Sequence, residues 1–180
     1  MKGWLASIGF LGLIALMMSC TDEAKDNPFK NPDLQEPVDS VNTDTLTPGS
    51  FAFLHYKVFR PTCANSGCHD GTFEPDFRTV ESSYNTMVFQ PVIKNDPGNS
   101  YEFRVKPGNA NESVLMNRLT VDIDGQSGIM PLSIDPQSDW PSMEGTYEDY
   151  IRDWINNGAV DQFGNAPAPG NREPQMLGVV

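Results

Sequence analysis

The stretch PTCANSGCHDG, residues 61–71, decides how this chain is read. Four residues separate Cys63 from Cys68, and His69 follows the second cysteine directly. Thiol and imidazole are the side chains that disulfides, metal ions and covalent cofactors use. The question is which of these would hold the trio together, and the rest of the sequence has to agree with the answer.

Upstream, MKGWLASIGFLGLIALMMSC opens the chain with one Lys, an apolar run from Trp4 to Met18, then Ser19-Cys20. That is the layout of an export signal, and the run is short for a membrane span. The closing Cys resembles the lipobox of bacterial lipoproteins, with Met17 where that family prefers Leu. The resemblance implies a signal peptide at 1–19 and acylation of Cys20, which becomes the first mature residue. Such a protein is exported and tethered to a bacterial membrane without spanning it. The acidic TDEAKDNP that follows resembles surface-export signals of some Gram-negative lipoproteins. Cell-surface and periplasm-facing anchoring both stay open, as does ordinary secretory cleavage.

A length of 180 residues allows one domain plus extensions. The formal net charge of −12 argues against nucleic acid as a partner, because phosphate binding needs a basic face. It favours solubility and basic partners instead. Loss of Lys2 with the signal makes the remainder one charge more acidic. Cys63 and Cys68 are then the only thiols besides Cys20, in a compartment that permits disulfides.

The organisation reads as a tether at 20–48, a domain at 49–163 and a Gly/Pro-rich tail at 164–180. The tether is rich in Asp, Asn, Pro, Thr and Ser and poor in large apolar side chains. In GSFAFLHYKVFR, Phe51, Leu54 and Val58 recur at helical spacing behind Ser50 as N-cap. Pro61 is expected to stop that helix. SSYNTMVFQPVI fits a short helix or an extended piece equally well. NANESVLMNRL predicts a second helix, with Asn109 and Glu112 at capping-box spacing. VDIDGQSGIMPL predicts a loop ending in Met130-Pro131. The clearest pattern is at 144–157, where Tyr147, Tyr150, Ile151, Trp154 and Ile155 form one apolar stripe and Asn157-Gly158 ends it.

Three chemistries could use the trio. A Cys63–Cys68 disulfide closes a very short loop, yields little entropic stabilisation, and leaves His69 without a role. A structural zinc ion takes four ligands, and the only other histidine is His55. Covalent haem takes two thiols, which add across its vinyl groups, and the imidazole next to the second thiol as iron ligand. The usual spacing is C-x-x-C-H; here the spacer is two residues longer, with the small, flexible Asn65-Ser66-Gly67 to let the loop bulge. Such haems commonly take a sixth ligand from Met. Met130, in a loop stiffened by Pro131, is the candidate. Met87, Met116, Met143 and His55 are rivals, and Met116 reads as core filler.

Taken in order, CANSGCH, PGNANESVLMNRL, GIMP and YIRDWINNGAVD resemble the class I cytochrome c domain, as found in exported bacterial proteins. The resemblance spans about residues 50–161. It departs in the four-residue spacer and in a long stretch between His69 and Pro107. It implies an all-α, small cytochrome c-like fold of a few helices and long loops around one covalently bound haem c. Cys63 and Cys68 would hold the haem, with His69 proximal and Met130 distal, walled by Phe51, Phe59, Tyr150 and Trp154. The implied role is an electron-transfer relay between redox partner proteins, not an enzyme. The competing expectation is a structural or accessory lipoprotein of a larger membrane or surface complex. A haem protein with an open sixth position is a third.

Overall fold

A helix begins where the sequence places an N-cap: the Ser50 hydroxyl accepts the Phe53 N–H at 3.3 Å. The computed structural model describes residues 41–168 apart from 95, 97 and 123–127, within a compact unit whose first residue is Asp39. The expected signal peptide, Cys20, the tether up to residue 40 and the tail from 169 lie outside the described residues. A 3-10 turn at Thr43–Thr45 precedes the helix.

The first helix has three parts: α1 (Phe51–Leu54), a π turn (His55–Phe59) and α2 (Arg60–Cys63). Phe51, Leu54, His55, Val58, Phe59 and Thr62 are buried along one face. Pro61 does not stop it, contrary to expectation; the helix continues to Cys63. The cause is the π turn. A proline ring in an α-helix clashes with the carbonyl four residues back and lacks the N–H to bond it. Here the Arg60 N–H already reaches five residues back to His55, and the widened turn relieves the clash.

α3 (Val80–Met87) settles the segment that fitted two readings: it is helix to Met87, then Val88 is extended and Phe89 turns the chain with φ of 56°. Thr79 and Ser82 form a reciprocal capping box, at 3.1 Å in each direction. The next helix is shorter than predicted. Asn109 caps only a 3-10 turn, Ala110–Glu112; the Asn109 N–H that a capping box would engage donates to Lys106 O at 3.0 Å, and Glu112 pairs with Lys106. Ser113 is extended and bridges Phe103, so α4 (Val114–Thr120) starts after it. α5 (Trp140–Asn156) starts four residues before the predicted 144, with Pro141 in its first turn, where a missing N–H costs nothing.

Every regular element among the described residues is helical, with only three isolated bridges of extended chain. The described residues are therefore all-α in class. None of the described helices is long and apolar enough to cross a membrane.

The core forms where α1 meets α5. Phe51 lies 5.0 Å from Trp154 and 5.1 Å from Tyr84 of α3, ring centre to ring centre. Phe53 meets Tyr147 and Tyr150 edge-on. Full burial of a ring such as Phe51 or Tyr147 contributes about 2–3 kcal/mol. The end of α5 is closed by a Schellman motif: Gly158 N–H to Ile155 O at 3.0 Å and Ala159 N–H to Trp154 O at 2.9 Å. Gly158 has φ of 99°, the left-handed region this motif needs. The Pro107-Gly108-Asn109 segment reaches the same end. Gly108 N–H donates to Ile155 O at 2.7 Å, and Ala110 N–H to the Asn156 side chain at 3.0 Å. Two stretches that the sequence presents separately, PGNA and WINNG, are thus one hydrogen-bonded junction.

Candidate functional site

α2 delivers Cys63 as its last residue, and the main chain then loops back. Cys68 N–H donates to Asn65 O at 2.9 Å, and His69 N–H donates to Cys63 O at 3.1 Å. The turn from Asn65 to Cys68 requires positive φ at its third residue, and Gly67 supplies it with 79°. The Asp70 carboxylate accepts Gly67 N–H at 3.0 Å and Thr72 N–H at 3.2 Å; the Thr72 hydroxyl first, then these N–H groups, hold its pKa below the ordinary carboxylate value. The long spacer is therefore a closed bulge with Ser66 and Gly67 at its exposed tip, and His69 is returned to the residue that ends the helix.

Cys63 and Cys68 are both half-buried free thiols. Burial pushes the Cys63 thiol up to about 11, against the opposing effect of the Thr62 hydroxyl beside it at 3.2 Å. Among the described residues, no three His, Cys, Asp or Glu side chains gather as ligands of one metal ion.

The His69 ring is oriented by the main chain. Its Nδ1 lies 2.9 Å from the Pro75 carbonyl, which can only accept, so Nδ1 carries the proton. Nε2 then keeps its lone pair, the form in which imidazole binds a metal. Burial lowers the His69 pKa, while the Pro75 hydrogen bond acts in the opposite sense. Phe77 stands edge-on to the ring at 5.4 Å and stacks on Phe59 of the first helix at 5.1 Å.

Met130 reaches the same neighbourhood by a different route. Its N–H donates to Arg118 O at the end of α4, at 2.8 Å. Farther along the loop, Asn65 Nδ2 donates to Ser133 O at 2.7 Å and Asp135 N–H donates to Pro61 O at 3.0 Å. The loop that carries Met130 is thus tied to the loop that carries the cysteines and to the helix before it. Met130 is half-buried against the core. Its rivals are placed otherwise: Met87 and Met116 are buried in helices, and Met143 lies in α5. His55 is buried with Nδ1 on the Ser83 hydroxyl at 2.8 Å, and burial depresses its pKa to about 3.

Exposed apolar side chains flank both loops. Phe73 follows His69, while Ile129 and Leu132 bracket Met130; they are 57%, 42% and 60% exposed. Of the four aromatic residues expected as a wall, Phe59 connects to His69 through Phe77. Phe51 and Trp154 pack together at the helix crossing, and Tyr150 lies against Phe53 and Gly49. A separate groove of about 290 Å³, lined in part by Glu81, Tyr84 and Asp161, contains none of the trio.

Sequence reasoning did not find Pro75, Asn65, Ser133 or Pro61 as members of this cluster. Three of them act through main-chain carbonyls, which no side-chain pattern marks. The chain matches no known protein family, no curated protein and no solved structure.

Proposed function

We propose that this chain is a lipid-anchored, monohaem c-type cytochrome that relays electrons between partner proteins. The observation that carries the reading is the His69 ring: its Nδ1–H is held by the Pro75 carbonyl, the tautomer in which Nε2 can bind a metal, on the residue directly after Cys68. The residues present fit the group. Cys63 and Cys68 would hold haem c by thioethers, each formed when a thiol S–H adds across a vinyl double bond. His69 would be the proximal ligand and Met130 the distal one. Haem supplies the one-electron iron couple.

The chain's own residues do the rest. The closed bulge keeps the two thiols and the imidazole on one short loop. The exposed Phe73, Ile129 and Leu132 offer apolar surface where a flat apolar group would need cover. With His69 and Met130 both engaged, no position is left for a substrate, which makes the protein a carrier rather than an enzyme. Anchoring through Cys20 and a tether would raise the local concentration of the domain at membrane partners. The small cytochrome c-like fold is part of the same proposal.

The test is the absorption spectrum and intact mass of the protein matured in a host that attaches haem c, with Cys68→Ala beside it. Sharp reduced-state bands and one added haem mass, both altered in the variant, are expected. A haem-free mass two hydrogens below the reduced chain, alongside a normally matured control cytochrome, would replace this reading with an accessory lipoprotein carrying a disulfide.

A further inference from the structure

The acceptor of the His69 proton belongs to a loop with little to bury, yet that loop is braced on both sides. Just before Pro75, the Glu74 carboxylate accepts from Arg104 Nη2 at 2.8 Å. Just after it, Asp76 N–H donates to the Thr86 hydroxyl at 2.9 Å. The two braces meet, because Arg104 Nη1 donates to the Thr86 carbonyl at 2.6 Å. Phe77 N–H then returns to His69 O at 2.8 Å and closes the ring of contacts.

Arg104 is well placed to be rigid. It is 8% exposed, and its main chain is fixed on both sides, by Arg104 N–H to Gln90 O at 2.8 Å and Leu115 N–H to Arg104 O at 3.0 Å. A buried guanidinium has a planar fork of donors, which suits it to join two acceptors at fixed geometry. Glu74, by contrast, keeps 64% of its side chain exposed, so the pair adds little to stability on its own.

We propose that Arg104 and Thr86 are positioning residues that fix the Pro75 carbonyl against His69 Nδ1 and thereby set the donor strength of the proximal imidazole. This rests on the haem reading above. A ligating histidine whose other nitrogen donates a well-held hydrogen bond is a stronger donor to its metal, which favours the oxidised state. Loosening the brace weakens that donation and raises the reduction potential.

The experiment uses the full-length haem-loaded protein, with Arg104→Lys and Thr86→Val as brace variants and Glu74→Gln as control. Lysine keeps the charge and loses the fork; valine keeps the shape and loses the hydroxyl. Glutamine removes the charge and keeps an oxygen for Arg104. Solvent exchange of the His69 Nδ1 proton is read by NMR, and the midpoint potential by titration against redox mediators. Each brace variant is expected to speed exchange about tenfold, as the loss of one bracing hydrogen bond allows, and to raise the potential. Thr86→Ser is expected to restore both readings, and Glu74→Gln to leave exchange unchanged. Parent-like exchange in both brace variants, at normal haem content, would overturn the inference and leave the function standing. A change in Glu74→Gln equal to that in Arg104→Lys would overturn it too, in favour of a charge effect. A parent protein without covalent haem would overturn function and inference together.

Discussion

The crossing of α1 with α5 and the loops around His69 are built from different materials. At the crossing, Phe51, Trp154 and Tyr147 are almost fully buried, and contact between rings does the holding. Around His69 the residues are half-buried, and hydrogen bonds to main-chain carbonyls do the holding: Pro75, Ser133, Pro61 and Cys63 each accept one. Burial is non-directional and tolerates similar shapes, whereas hydrogen bonds fix an orientation but contribute little net energy each. The molecule therefore keeps stability in one region and geometry in the other.

The largest effect on stability is expected at the crossing. Trp154→Ala removes a buried ring and the Nε1–H donated to Val160 O at 2.8 Å, and should cost about 3–5 kcal/mol in denaturant unfolding. A cost below that of any loop variant would break the contrast.

Second comes acid. His55 is neutral in the fold, with its pKa depressed to about 3 from 6.5. The unfolded chain binds the extra proton first, so this contribution is complete above pH 6.5 and is lost as pH falls toward the folded value. Between pH 6.5 and 4.5 the loss should be about 2–3 kcal/mol. His55→Gln should flatten that part of the stability profile, and an unchanged slope would remove His55 from the core account.

Third, Asn65→Ala cuts the bond to Ser133 O. About 1 kcal/mol or less of stability should go, because the group is near solvent. Proteolysis of the Met130 loop should rise by more than that global loss explains. The smallest stability effect is expected at Met130→Leu, well under about 1 kcal/mol, because it is a shape-conserving change at a half-buried side chain. On the haem reading, the same substitution removes the distal thioether, lowers the potential and opens the iron to added cyanide. Unchanged ligand binding would assign Met130 to packing alone.

Much of the first region could be read from the sequence. Ser50 caps as its type suggests, and the Tyr147, Ile151, Trp154, Ile155 stripe is buried along α5. The misreadings have non-local causes. Pro61 breaks a regular α-helix, but no local pattern announces the π turn that admits it. Ser113 interrupts a good helical run because Phe103, distant in sequence, bridges to it. α3 is a separate case, of a weak local signal: Thr79 and Ser82 cap it, but a serine at that place marks a helix start less strongly than Glu or Gln. In the second region, Cys63, Cys68 and His69 stand out because their side chains are chemically rare. Pro75, Thr86 and Arg104 do not, because their roles exist only once the chain has folded.

The π turn at His55–Phe59 has a further consequence, for how this chain can vary. A π turn holds one more residue than an α turn, and each helical residue rotates the chain by about 100°. Pro61 and the extra residue are therefore epistatic. Deleting one residue between 55 and 59 would restore regular bonding and return the proline clash, about 3 kcal/mol, whereas the same deletion with Pro61→Ala would escape it. Homologous chains that keep the proline are expected to keep the extra residue, whereas those that lack the proline are free to lose it.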